Sequence, residues 1–108
     1  WEKALRGADD RVYPWGRGLN ETVLGLRDGP EPVEQSEQND VSPYGVLRLG
    51  GQVSEWVRAD FGVVVMADYL KGGNYRFDAT HSNGGYLLGV APGKAWRWTG
   101  IRVIRELR

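Results

Sequence analysis

The sequence predicts an α+β fold made of one short helix and short antiparallel strands joined by long irregular loops. Three observations point there. Trp1, Ala4 and Leu5 recur at the i, i+3, i+4 spacing of a single helix face. Residues 8–43 are dense in Gly, Pro, Asp, Asn and Glu and show neither helical nor strand periodicity. The second half then carries short β-branched or alternating runs separated by glycines, the pattern of small strands rather than helices.

The helix comes first. Its apolar face is Trp1, Ala4 and Leu5, with Glu2, Lys3 and Arg6 outside and Gly7 placed to end it. Seven residues do not sustain a helix alone, so packing or a longer upstream helix must support it. In the irregular stretch, Tyr13, Pro14 and Trp15 are expected to pin the chain to the core, while DGPEPVEQSEQND (28–40) runs over the surface in solvent. An irregular region of this length usually carries function or holds a ligand. Residues 63–66 read as a buried strand, residues 86–90 as a second, and GIRVIREL (100–107) as the clearest alternating one. There Ile101, Val103 and Arg105 share one face and Arg102, Ile104 and Glu106 the other, so burial on both sides is expected at its centre. Gly72, Gly73, Gly84, Gly85, Gly89, Gly93 and Gly100 mark turns or bulges. Trp1, Trp15 and Trp56 are expected to fill the core, whereas Trp96 and Trp98 stand open between core and surface.

At 108 residues the chain suits a single domain, 1–108. A hydrophobic share of 41% supports a modest core. Its 14 basic and 14 acidic side chains cancel, which argues against nucleic acid, whose binding scales with cationic contacts to phosphate. Without cysteine the chain has no disulfide, thiolate zinc site or cysteine nucleophile. The longest apolar run, FGVVVMA (61–67), is far short of a membrane span, so no membrane partner is expected. No targeting signal is visible and the compartment stays open, although the chain opens abruptly on WEKALRG, as if an upstream segment were missing. Ser36, Ser42, Ser54 and Ser82 lack an activating motif, and the Gly-Gly pairs lack the ending of a phosphate loop.

Four blocks carry a family resemblance. WEKALRGADDRVYPWG (1–16) resembles the WEKAARG and YPWG motifs of the formylglycine-generating-enzyme, or sulfatase-modifying-factor, family. Residues 32–57, from PV through NDVSPYGVLRLGGQVSEWV, resemble its N.YGLYDMAGNVWEWV block. LKGGNY (70–75) is similar to LRGGSW, and GIRVIREL to GFRVVREL. The blocks stand in family order and together span nearly the whole chain. The resemblance implies a C-type-lectin-like fold, and a chain covering only the C-terminal half to two-thirds of a typical family domain. In such folds the first and last strands pair, so residues 100–107 are expected either to join two chains as a homodimer or to belong to a piece of a longer protein.

The same resemblance implies copper chemistry at two cysteines after the Gly-Gly pair. The matching positions here are Phe77 and Ser82, and neither supplies the soft thiolate that Cu(I) needs. In the related sulfoxide synthases iron is held by three histidines on a separate domain; His81 alone cannot replace them and reads as a loop histidine. The family also holds calcium near the AGNVWEW block, where Arg48, Gly51, Val53 and Glu55 now stand. Arg48 is therefore expected to replace the ion and pair with Glu55. A second calcium site maps loosely to Asn20, Glu21, Asp28 and Pro30, against which stands an Asx-turn and β-turn reading. No cofactor is expected beyond such a structural calcium.

Ligands of the family, and of related proteins diversified by retroelements, meet the surface after the Gly-Gly pair. Here it offers Asn74, Tyr75, Arg76, Asp78, His81, Asn83, Trp96, Arg97 and Trp98, residue types with large area and polar tips. In an extended segment Trp96 and Trp98 share a face, offering two coplanar indoles on which a small molecule, glycan or peptide stacks, with Arg97 on the other side. The sequence thus reads as a non-catalytic binding or self-association module. The alternatives are a piece of a larger metal-dependent oxidase or sulfoxide synthase, and a retroelement-diversified ligand-binding protein.

Overall fold

The computed structural model describes residues 1–20, 29, 40–58, 68–76 and 79–107. The expected strand at 63–66 lies outside them, as do most of the 28–40 loop, Phe77, Asp78, Glu21, Asp28 and Pro30.

The predicted helix is present as α1, Glu2–Arg6. Leu5 on its inner face is fully buried, and an i,i+4 ion pair of Glu2 with Arg6 at 2.9 Å braces the outside. Gly7 ends it at φ 68, donating its amide to Lys3 O. A Cβ at Gly7 would lie 2.8 Å from Pro43 Cγ, so the position needs glycine both for its backbone and for its contact. Next, Tyr13 and Trp15 stack at 5.1 Å and 4° around a fully buried Pro14. Val12 O accepts the amide of Gly84, which anchors this segment as the sequence predicted.

Among the described residues the sheet has four strands in the order β3-β2-β1-β4: β1 Ser54–Val57, β2 Asp68–Lys71, β3 Leu88–Val90 and β4 Thr99–Gly100. β1 pairs antiparallel with β2, placing Trp56 opposite Leu70, and β2 pairs antiparallel with β3. β4 runs parallel to β1, with Ser54 opposite Thr99 and Glu55 opposite Gly100. With one helix and a small mixed sheet, the chain is α+β. Among the described residues no helix is long and apolar enough to cross a membrane.

Three expectations are corrected. The segment 100–107 is not a strand along its length: β4 stops at Gly100, and Ile101, Val103, Ile104 and Leu107 are 77–88% exposed instead of buried on both faces. Alternation records a preference for extended backbone, but a strand also needs a neighbour, and among the described residues β4 pairs with β1 alone. The strand expected over 86–90 is confined to Leu88–Val90, because Tyr86 turns back to bond Asn83 O. Finally, the buried tryptophan is Trp98, while Trp1, Trp15 and Trp56 are half-buried.

Two glycine pairs, 50–51 and 72–73, carry the crossing of the segments that precede β1 and follow β2. Gly73 donates its amide to Gly50 O at 3.0 Å, and Tyr75 donates to Gln52 O at 2.9 Å. A Cβ at Gly73 would sit 2.7 Å from Gly50 O and 2.6 Å from Ser82 Oγ. Gly73→Ala is therefore expected to destabilise the fold by about 1–3 kcal/mol, the usual cost of overpacking. A denaturant midpoint unchanged from the parent would contradict this contact.

Candidate functional site

Residues 74–76 leave the crossing in a tight polar knot. Asn74 is buried: its Nδ2 donates to Ser54 Oγ at 2.9 Å, and its Oδ1 accepts the amide of Arg76. Ser54 Oγ in turn donates to Gly72 O. Asn74 is thus a brace inside the crossing and not part of an open surface, contrary to the sequence reading. Tyr75 is half-buried, as expected, and Arg76 is exposed.

The following turn is similar in character. A short 3-10 turn, Ala79–Ser82, carries a half-buried His81 whose ring meets Tyr86 edge-on at 4.7 Å. Asn83 bridges the turn, donating to Thr80 O and accepting the amide of Gly85. Ser82 is fully buried under Gly73, and its Oγ has no hydrogen-bond partner. Asp78 lies outside the described residues.

Trp96 and Trp98 are neighbours, but the rings stack on one another, 4.8 Å apart at 16°, instead of lying side by side as a coplanar pair. Trp98 belongs to the core, however, and Trp98 O accepts the amide of Ser54. Only the half-buried Trp96 and the exposed Arg97 of this segment are turned toward solvent. The 74–76 and 96–98 segments both fasten to the 52–54 backbone, through Gln52 O and the Ser54 amide. Of the nine candidates, Tyr75 and Trp96 are half-buried and Arg76 and Arg97 exposed, while Asn74, Asn83 and Trp98 have structural work.

At a second locus the sequence singled out the carboxylate, Glu55, but not its partner. Glu55 is almost completely buried, and its carboxylate accepts Trp1 Nε1 at 2.7 Å and a fork from Arg102, with Nη2 at 2.6 Å and Nε at 3.0 Å from both oxygens. Arg102 Nη2 also donates to Leu47 O. The cation seated on Glu55 is thus Arg102, taking the role expected of Arg48. This donor set does not fit calcium, because both oxygens already face N–H groups and the positive charge is supplied by a guanidinium. Arg48 is buried beside Asp40, with φ 63, and donates its amide to Asp40 O. Asn20 of the second calcium set is exposed, and no cluster of three metal-ligating side chains occurs among the described residues.

Beside Glu55 opens a cleft of about 640 Å³, walled by Trp1, Leu49, Trp56, Leu87 and Ile104. Lys71 reaches its edge, with Nζ 2.7 Å from Gly84 O, 3.4 Å from Glu2 Oε2 and 5.6 Å from the Trp1 ring centre. The sequence signal for this locus was slight: an arginine within an otherwise apolar alternation at 101–104.

Asp40 holds the loop that precedes β1. Its Oδ1 accepts the Gly50 amide at 3.0 Å while Oδ2 is buried without a partner. Burial pushes the carboxyl above its ordinary value of 3.8, against the Gly50 and Gly51 amides and the charges of Arg48 and Arg102. Because the folded-state value is raised, this residue's stabilising contribution is complete below the unfolded value and is lost as pH rises through the folded one. A carboxyl-carbon NMR titration is expected to place Asp40 above 3.8, and Asp40→Asn to remove that part of the pH dependence; a midpoint at or below 3.8 would contradict the burial argument. At the other locus, Arg102→Ala leaves Glu55 buried with Trp1 alone. It is expected to cost roughly 2–3 kcal/mol, within the range for hydrogen bonds to buried charge, as read by chemical denaturation.

Comparison with known proteins agrees with this architecture. The chain is 30% identical to a Bacillus subtilis (strain 168) protein named uncharacterized protein YfmG, in an alignment covering 56% of this chain and 18% of that protein. The chain thus spans less than a fifth of that relative's length. The family profile described as Sulfatase-modifying factor enzyme 1-like domain matches residues 1–107. With its α+β architecture and this match over nearly its whole length, the chain belongs to the sulfatase-modifying factor enzyme 1-like family, whose fold is C-type-lectin-like.

Proposed function

We propose that this chain is a non-catalytic binding or self-association module on the sulfatase-modifying-factor scaffold. The observation that carries the reading is Ser82. It occupies one of the two positions where the family resemblance implies a copper-binding cysteine, and it is a fully buried hydroxyl packed against Gly73. The other position is Phe77, and the chain has no cysteine. A hydroxyl and a phenyl ring do not make a Cu(I) site, which requires soft sulfur donors.

What remains is a surface. Tyr75, Arg76, Trp96 and Arg97 combine aromatic area with two exposed guanidinium groups, a combination suited to a glycan, a peptide or a polar small molecule. Trp96 rests on the buried Trp98, so its indole is held in place before any ligand arrives, which lowers the ordering cost of binding. A second reading is favoured by one observation, the far greater length of the Bacillus subtilis relative: the chain is then one part of a larger oxidase or sulfoxide synthase, with the reacting groups elsewhere.

The test is an array of glycans and short peptides probed with the chain and with its Trp96→Ala and Arg97→Ala variants. The expected result is a ligand whose affinity falls by about tenfold or more in each variant. Copper-dependent oxidase turnover by this chain would overturn the non-catalytic reading, and a ligand indifferent to both variants would move the site elsewhere.

A further inference from the structure

We propose that Asn83 and Gly84 form a covalent modification site, a self-deamidating pair that the fold holds shut by bonding the Gly84 amide to Val12 O. The pair converts to an acid when that contact opens, with water as the co-reactant. This goes beyond the binding reading above and does not depend on it.

Four asparagines occur in the chain, and Asn83 alone is followed by glycine. That successor matters because the reaction is an attack by the next residue's backbone nitrogen on the asparagine Cγ, and glycine has no Cβ to obstruct it. The nitrogen gives its proton to solvent base and forms the N–Cγ bond. The Cγ–Nδ2 bond then breaks, and ammonia leaves with a proton taken from solvent. Water opens the cyclic imide at either carbonyl. The product is aspartate, or isoaspartate, in which the backbone runs through the former side chain and gains a carbon. Nothing is oxidised or reduced.

The structure both arms and restrains this reaction. Gly85 donates its amide to Asn83 Oδ1 at 2.9 Å, where negative charge develops as Cγ is attacked. Two bonds stand against it. The nucleophilic Gly84 amide is committed to Val12 O at 2.7 Å, and the leaving Nδ2 donates to Thr80 O at 2.8 Å. Gly84 is buried, so releasing its amide from Val12 costs a hydrogen bond that water does not readily replace. The restraint is fastened from α1. Arg6 Nη1 donates at 2.6 Å to the carbonyl of Arg11, the residue before Val12. The same guanidinium packs on Gly84, where an added Cβ would lie 3.2 Å from Arg6 Cζ. Local opening of this segment, a smaller event than global unfolding, frees the nucleophile. Conversion then works against closure. A carboxylate cannot donate to Thr80 O, and the longer isoaspartyl backbone displaces Gly84, whose carbonyl accepts Lys71 Nζ at 2.7 Å. Time spent open is thus recorded as a lasting loosening of the contact between residues 12 and 84.

The experiment incubates the chain and its Arg6→Ala variant at mildly alkaline pH in a series of guanidinium chloride concentrations. Peptide mapping by mass spectrometry reads the acid formed at each asparagine, and NMR hydrogen exchange reads the Gly84 amide. Circular dichroism and tryptophan fluorescence verify the fold. The expected result is conversion at Asn83 ahead of Asn20, Asn39 and Asn74, slower by about tenfold or more in the folded chain than in the unfolded one. Below the unfolding transition the rate is expected to rise in step with exchange of the Gly84 amide, a readout that serves equally where Arg6→Ala does not fold. A folded Arg6→Ala chain is expected to convert faster than the parent in plain buffer. An Asn83 that stays intact in the unfolded chain overturns the proposal, as does conversion equally fast in the folded one. A rate that ignores Gly84 exchange, or a folded Arg6→Ala chain that converts no faster than the parent, also overturns it, because the Val12 contact is then not the restraint.

Discussion

The fold turns on a place where two backbones come too close for side chains. Gly50 and Gly73 are bonded directly, amide to carbonyl, and Gly72 sits at φ 80 with no room for a Cβ beside Leu49 O. Contact at this distance allows Ser54 to reach the carbonyls of the glycine pair and lets Asn74 reach Ser54, so polar groups deep in the structure find partners with little regular secondary structure to supply them. It also places Ser82 where its hydroxyl has no partner. The four strands among the described residues are only two to four residues long, so their ladders supply few hydrogen bonds. Glycine contacts and side-chain braces do that work here.

Charge is handled in the same manner, by enclosure. Glu55 is removed from water and compensated by a forked guanidinium and an indole N–H, while Asp40 is removed from water with one oxygen satisfied. The two carboxylates are consequently opposite in character: one is fully engaged by donors, the other has its neutral form favoured by burial. Both secure the same stretch of chain, Asp40 from before the loop and Glu55 from after it. Arg48 and Gln52 lie between them in the left-handed backbone region that residues with a Cβ seldom adopt. Such conformations persist where neighbouring contacts fix them, and the bonds from Asp40 and to Tyr75 provide that fixing.

The helix with its Gly7 stop, the Tyr13-Pro14-Trp15 anchor and the nearness of Trp96 to Trp98 were legible in the sequence, because each depends on neighbours within a few positions; that the two indoles stack on one another was not. The glycine pairs were legible as unusual positions but not as partners of one another, since nothing local links residue 50 to residue 73. The clamp on Glu55 was hidden for the same reason. A carboxylate in a strand and an arginine 47 residues away carry no periodic trace of their bond, and the nearer Arg48 was the natural choice. Alternation at 101–107 misled because it describes what the backbone prefers and says nothing of whether a neighbouring strand is present. Asn74 was assigned to the surface by residue type, whereas its short amide suits a crowded interior equally well.

The clamp has a consequence for synthesis. Glu55 leaves the ribosome 47 residues ahead of Arg102, and until then the carboxylate can bond the Trp1 indole but not its compensating cation. Burying it at that stage means sealing a charge away from water with half its partners absent. The nascent chain thus favours an open arrangement around β1, with Trp56 and the cleft wall accessible, until the last strand arrives to close it. Apolar surface exposed in that interval is open to errant pairing, and the interval's length is set by translation speed over residues 56–102 rather than by the folding of any one element.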